Sequence, residues 1–386
     1  MSVGRTFPHV VVIGAGIVGA ATAFYLTRAG ARVTVIEAET PAAGATGASD
    51  GAVSVASKRP GPMMRLAREA RTLYGRLADE GILAGVYQTR PTYLFARTAQ
   101  EAELIASHGC DLACEGEYVI SLTRSELLRK IPNLGENVLM ALEVPFDGHA
   151  LGYEVVNRLL SSANVVPRRY APVRKLAVVC GRIVGVETDN EMIAADVVVL
   201  AAGLGSSSLA GLDNILIPRK GQLIVTDRAA ANGPALPGPL MSAGYLAAKR
   251  AALPGQSTSS LVIDPLKTGQ FLIGSSREEG LSDRQTNVRT VAAILREALE
   301  AYPPLARQRV IRTFAGVRTA TRDGLPIVGR HPMIERLVIA TGFEGDGICL
   351  GPLMGAAAAK LACDCEPDID LTAFSPKRFT PRDMVA

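Results

Sequence analysis

The chain opens on a run of apolar, mostly β-branched residues, Val10-Val11-Val12-Ile13 after His9, with no polar alternation. Such a run reads as a strand buried on both faces. Gly14-Ala15-Gly16-Ile17-Val18-Gly19 follows at once. Ala20 to Ala29 then reads as a helix that Gly30 ends, and Arg32-Val33-Thr34-Val35-Ile36 as a second strand with Glu37 at its C-terminal end. Further on, Arg65 to Glu80 and Asn287 to Tyr302 carry helical periodicity. Tyr93 to Ala96, Asp196 to Leu200, Gln222 to Val225 and Gln270 to Gly274 are short strand-like runs. Asn232 to Pro239 and Pro254 to Ser260 are the most loop-like stretches.

The first forty residues carry a specific physical demand. A glycine at 14 permits a tight turn, one at 16 lets backbone approach a pyrophosphate, and one at 19 lets the helix pack closely on the sheet. The free N–H groups at the helix start, beside Ile17 and Val18, then face the phosphates with the helix dipole behind them. Glu37, with Ala38 next to it, stands where an acid accepts hydrogen bonds from an adenosine ribose. The pattern predicts dinucleotide binding; a glycine-rich loop in another α/β fold is the competing reading. The unit alone does not separate FAD from NAD. The next segment is not another strand and helix but the small, polar stretch from Pro41 to Ala52, containing Ala45, Thr46, Ser49, Asp50 and Gly51. It reads as a loop laid against a large ligand, with a surface linker as the alternative.

At 386 residues and 48% apolar content the chain is long enough for two domains with real cores. A net charge of +4 without a Lys/Arg block gives no support to a nucleic-acid role. The N-terminus lacks the pattern of a signal peptide, and no stretch reaches the roughly 18 apolar residues of a membrane span, so a cytoplasmic protein is expected. Cys110, Cys114, Cys180, Cys349, Cys363 and Cys365 match neither a zinc ribbon nor a CxxC pair and read as free thiols. Cys363-Asp364-Cys365 supplies too few ligands for a metal site, and none is expected.

Four separated motifs, in order, resemble the D-amino-acid oxidase superfamily of FAD enzymes. They are the unit ending at Glu37; the loop Ala45 to Ala52; the strand Asp196 to Leu200 with Ala201-Ala202-Gly203; and the group Gly316-Val317-Arg318, Asp323 to Gly329 and Gly342 to Ile348. The likeness runs along nearly the whole chain. It is to the glycine and sarcosine oxidase branch, and more closely to FAD subunits of hydrogen cyanide synthase, opine oxidase and D-hydroxyproline dehydrogenase. It implies an α/β fold: a Rossmann-type FAD-binding domain with a second, antiparallel-sheet α+β substrate domain. The motif spread makes the first discontinuous, at 1–88, 146–216 and 312–386, with 89–145 and 217–311 forming the cap. The resemblance further implies that Val173, in a hairpin with Arg182 to Thr188, contacts the adenine. It places Ala201, Ala202 and Gly203 near the phosphates, and the backbone of Gly345, Asp346, Gly347 and Ile348 at the flavin. Glycine oxidases have a His where Phe343 stands, and sarcosine oxidases attach flavin through a Cys in the region of Gly316, so the FAD is expected to be non-covalent.

Oxidation of a carbon–nitrogen bond by flavin needs a positioned substrate and a neutral amine rather than a strong base. It also needs a carboxylate clamp. By the resemblance Arg318 is that clamp, its fork suited to two-point binding; a structural pairing with Asp323 is the alternative. Tyr245 matches a substrate-binding Tyr, with core packing as the alternative. Ser49 and Asp50 read equally as flavin neighbours or turn formers. Lys58 could line the pocket or face a partner, with solvated surface as the default; His149 reads as structural, and Glu344 as a weaker candidate for meeting a substrate amine. The resemblance implies oxidation of a small amino or imino acid such as D-hydroxyproline or an opine. The preferred arrangement is an FAD subunit of a hetero-oligomer whose partner subunits carry an iron–sulfur cluster and a second flavin. The alternatives are a stand-alone glycine/sarcosine-type oxidase producing peroxide, or a non-catalytic flavin-loaded scaffold.

Overall fold

The computed structural model describes residues 8–231, 233–250 and 257–384. The opening strand His9–Ile13 is the interior of a five-stranded sheet. Parallel neighbours are Arg32–Ile36 on one side and Val197–Leu200 on the other, followed by Leu337–Thr341 and an antiparallel edge, Ile327–Arg330. The unbroken apolar run follows from this position. Val10 and Val12 pack into one core with helices Ile17–Arg28 and Gly347–Ala362; Val11 and Ile13 pack into a second core with Leu176, Ile183, Val186 and Ile193. The latter four come from a three-stranded antiparallel sheet whose hairpin pairs Val173–Val179 with Arg182–Thr188.

The first helix starts at Ile17, earlier than the pattern suggested, because Gly16 ends the turn and serves as its N-cap. The helix expected from Arg65 begins at Pro62, where a proline in the first turn forfeits no hydrogen bond, and runs to Asp79. The one expected from Asn287 starts at Val288, with the Asn287 side chain accepting from the N–H groups of Arg289 and Thr290.

An eight-stranded, mostly antiparallel sheet stands against the first layer. Its order is Val310–Thr321, Leu216–Thr226, Phe271–Glu279, Ser257–Pro265, Leu240–Ser242, Thr92–Ala96, Met140–Val144 and Ile120–Thr123. Helix Val288–Ala301 covers one face through Ile294, Ala298 and Ala301, against Ile224, Ile263, Phe271 and Ile273. Leu223, Val262 and Leu272, one residue out of phase, face a cavity instead. Of the two expected loops, 233–239 is irregular, and Asn232 lies outside the described residues. Residues 254–256 lie outside them too, but Ser257–Ser260 is not a loop. It opens the strand Ser257–Pro265, whose ladder with Phe271–Glu279 overrides the local Ser/Thr bias toward turns. Among the described residues no helix is long and apolar enough to cross a membrane.

The N-terminal and C-terminal cofactor motifs meet where helix Gly347–Ala362 packs on Ile17–Arg28. A Cβ on Gly355 would stand 2.5 Å from the Ala21 Cβ, 2.8 Å from the Thr22 nitrogen and 2.9 Å from the Val18 oxygen. Gly355→Ala should therefore destabilise the protein by about 1–3 kcal/mol, since helix backbone cannot yield as a side chain does. The gain in helix propensity is only about 1 kcal/mol. An unchanged thermal or urea midpoint would refute this view of the contact.

Candidate active site

The crevice begins at the turn after the opening strand. Gly14 has φ +100°, and a Cβ there would lie 2.5 Å from the Ala201 oxygen. Its N–H donates to the Ile36 oxygen at 2.8 Å, binding the turn to the next strand. Gly19 lets the helix sit on the turn, since its Cβ would be 1.9 Å from the Gly14 oxygen. Gly19 thus acts by packing and is not on the cavity wall, whereas Gly14, Gly16, Ile17 and Val18 are. Gly16 leaves the helix start without a side-chain cap; the Ile17 N–H reaches the Thr46 Oγ1 at 3.1 Å, drawing the loop of Ala45, Ser49 and Asp50 onto the same wall. Glu37 is fixed by two backbone donors, Ala15 N–H at 2.7 Å and Glu39 N–H at 2.9 Å.

These residues line a cavity of about 490 Å³. Glu37, Ala38 and Val173 mark one end; Ala201, Ala202 and Gly203 follow along its length. Gly345, Gly347 and Ile348 stand on the wall with Arg318 and Tyr245, and a Cβ at Gly345 would lie 4.0 Å from the Arg318 Nε. Besides Gly19, two expected residues are off the wall. Gly51, with φ +84°, packs on the His149 ring. Asp346 is buried behind the wall, paired with the Lys58 ammonium at 2.5 Å. Lys58 is therefore not surface. Burial lowers its proton affinity, but the Asp346 carboxylate outweighs that and holds it charged. His149 is structural: its Nε2 donates to the Asp50 oxygen at 3.0 Å, and burial pushes its pKa down to about 3, so the ring stays neutral.

At the far end, the Arg318 guanidinium lies across Gly221 of the neighbouring strand, where a Cβ would come within 2.6 Å of it. It donates to the Ser275 Oγ at 3.0 Å and the Ser276 oxygen at 3.3 Å. The acid that offered a structural alternative, Asp323, is instead clamped by Arg378 at 2.6 Å. Tyr245, on helix Ala243–Arg250, is half-buried; desolvation first and Glu344 second push its phenol up to about 12, so it stays protonated. Glu344 lines the cavity beside it, held between Arg219 and Arg277 at 3.3 Å each. Arg219 and Arg277 carried no signal in the sequence. A period-two count from Phe271 puts Arg277 on the helix-covered face, but the register slips between Lys220 and Leu223, so Phe271–Glu279 carries an extra residue there. Ser275 thereby joins Gly274 on the cavity wall, and Arg277 and Glu279 turn toward Glu344 and Arg219.

Residues 9–361 match the family described as DAO, FAD dependent oxidoreductase. The chain belongs to this family. Glycine oxidase of Geobacillus kaustophilus (strain HTA426) is 29% identical over 384 residues, 96% of each chain. An opine oxidase subunit of Rhizobium meliloti is 26% identical over 385 residues, 95% of this chain and 96% of that one. The crystal structure of glycine oxidase from Geobacillus kaustophilus superposes with a TM-score of 0.85 at 27% identity, covering 97% of this chain and 99% of the other.

The crevice fits FAD, the cofactor of the family. Its walls near the glycine turn are backbone, the Gly16 N-cap brings no side chain of its own to the helix start, and the Glu37 carboxylate stands at the end of the next strand. No cysteine is among the described residues that line the cavity, and a Cβ at Gly316 would stand 2.5 Å from the Ala48 Cβ. Glu37→Ala should weaken FAD binding by about ten- to a hundredfold, the worth of one hydrogen bond to a charged group, as read by fluorescence titration of the apoprotein. Equal affinity in the variant would remove Glu37 from the site.

Proposed function

We propose that this chain oxidises the carbon–nitrogen bond of a small amino or imino acid, with Arg318 as the carboxylate clamp. The observation that carries this reading is the state of Arg318. Its guanidinium is oriented by a serine hydroxyl and a carbonyl, both neutral, at the end of the cavity opposite Glu37. A carboxylate arriving there meets a prearranged fork and displaces no acid. Bound FAD supplies the acceptor for the hydride leaving the carbon next to nitrogen. Glu37 would hold the ribose, Val173 the adenine side, the start of helix Ile17–Arg28 the diphosphate, and the backbone at Gly347 and Ile348 the flavin. The FAD is held without a covalent bond. Tyr245, as a neutral phenol, adds a donor at the substrate end without adding charge.

The comparisons favour a stand-alone oxidase over the multi-subunit arrangement preferred from sequence. Several relatives named glycine oxidase match over 91–96% of the chain. The second reading, an FAD subunit passing electrons to partners with an iron–sulfur cluster and a second flavin, is supported by the likeness to the opine oxidase subunit. Expression of this chain alone decides: hydrogen peroxide formed in step with amino-acid turnover supports the first. Turnover only with an artificial acceptor supports the second.

Two outcomes test the clamp and the amine. Arg318→Ala should keep its FAD but lose about 2–4 kcal/mol in the flavin-bleaching specificity constant, some thirty- to a thousandfold. Arg318→Lys should recover only part, because an ammonium cannot fork. Full activity in the alanine variant would sink the clamp. The bleaching rate constant at subsaturating substrate should rise with pH through the substrate's own amine pKa. It should not fall again below about pH 10, since the Tyr245 phenol loses its proton only near 12. A decline at pH 8–9 would contradict the role given to that phenol.

A further inference from the structure

The end of the cavity marked by Glu37 carries an ion pair that neither the cofactor fit nor the oxidation uses. Glu39 follows strand Arg32–Ile36 of the five-stranded sheet. Arg284 lies between strand Phe271–Glu279 of the eight-stranded sheet and helix Val288–Ala301. The two are 245 positions apart in sequence, and both line the cavity with Glu37 and Ala38. Arg284 Nη1 and Nη2 each meet one Glu39 carboxylate oxygen at 3.3 Å, a two-point pairing. Side-chain exposures of 53% and 55% put the pair at the boundary between cavity and solvent.

Both partners stand on fixed backbone. Asp283, beside Arg284, pairs with the buried Lys220 at 2.6 Å and accepts from the Gln285 N–H at 2.9 Å. The Asn287 N–H donates to the Gln222 Oε1 at 2.7 Å, so the segment is tied to strand Leu216–Thr226 on either side of Arg284. Across the cavity, the Glu39 N–H donates to the Glu37 Oε1 at 2.9 Å, and the Glu39 oxygen accepts from the Tyr170 N–H at 3.2 Å. The pair thus joins the two sheets at the cavity's edge, each half held by its own layer.

We infer that Arg284 and Glu39 form a latch that retains FAD, parting when the cofactor enters or leaves. This rests on FAD occupying the cavity and is independent of the oxidation proposed above. A direct contact from Arg284 to the cofactor's phosphates is the competing role, and the two differ kinetically. A latch is protein on protein, so its strength enters the barrier in both directions and cancels from the affinity. A cofactor contact is lost on release, so it enters the affinity.

Stopped-flow fluorescence reads both rates. Quenching of free FAD on mixing with apoprotein gives entry. The rise in flavin fluorescence after mixing FAD-loaded protein with excess ADP, which has no flavin, gives exit. Arg284→Gln and Glu39→Gln should each speed entry and exit alike, by about two- to fivefold, the worth of an exposed ion pair, and leave the affinity unchanged. The double variant should do no more than either single one, because both remove the same contact. Raising the ionic strength from about 0.1 M to about 1 M should narrow the gap between wild type and variants. Long-range attraction alone would instead slow entry of the anionic cofactor in Arg284→Gln and speed it in Glu39→Gln. That pattern would overturn the latch. So would weakened affinity in Arg284→Gln alone, unchanged rates in both variants, or effects that add in the double variant. Both side chains are half in solvent, so neither amide leaves a buried group without its partner, and both variants should fold.

Discussion

The structure depends on backbone approaching backbone without side chains between. Helix Ile17–Arg28 is pressed from two directions: Gly19 brings it onto the turn at Gly14, and Gly351 and Gly355 bring helix Gly347–Ala362 against Ile17, Ala21 and Thr22. The same helix therefore presents its N-terminus to the middle of the cavity and fixes the element that carries the far wall. Helix Gly347–Ala362 starts beside Glu344 and Asp346, so a shift of either helix would move the phosphate end and the substrate end relative to one another. Interiors packed this closely transmit displacement rather than absorb it.

A buried ion pair reinforces that joint. Asp346 precedes the C-terminal helix, and Lys58 comes from the segment after the short strand Ala52–Val53. Tyr74, fully buried, donates to the Ile348 oxygen at 2.7 Å and ties the helix Pro62–Asp79 to the same point. An isolated buried ion pair is weak evidence of net stabilisation, because desolvation offsets much of the attraction. It does supply a fixed geometry, since the two groups are held 2.5 Å apart in the interior. The loop bearing Gly345 and Gly347 is thereby denied alternative positions.

The parts legible in the sequence are those whose physics is local. The run Val10–Ile13, the glycine turn and Glu37 form one short piece of chain, and each residue type answers a constraint set by its neighbours in sequence. Arg318 was legible only through resemblance, and its competing pairing with Asp323 was settled by Arg378, which lies far along the chain. Arg219 and Arg277 were not legible. Their side of the sheet is set by an irregularity in register between Leu216–Thr226 and Phe271–Glu279, and a one-residue slip reverses the face of everything after it. Lys58 failed for the opposite reason. A lysine before an arginine and a proline looks like surface, and nothing local announces an acid waiting at Asp346.

The charged far wall poses a question of energetics, since three guanidiniums, of Arg219, Arg277 and Arg318, gather around Glu344 and the cavity end beside it. Their arrangement answers it. Arg219 and Arg277 spend their charge on Glu279 and Glu344, so they act on the cavity through an acid rather than as bare cations. Arg318 keeps its charge but is held by Ser275 and Ser276, so the cost of orienting it is met on folding, not on binding. A carboxylate landing on Arg318, as proposed, would neutralise it, while Glu344 and Asp50 remain on the wall. The phenol of Tyr245 contributes no charge of its own across ordinary pH. Selectivity in such a site comes from which polar groups are left unmatched by the wrong substrate, a larger penalty than any misfit of apolar surface.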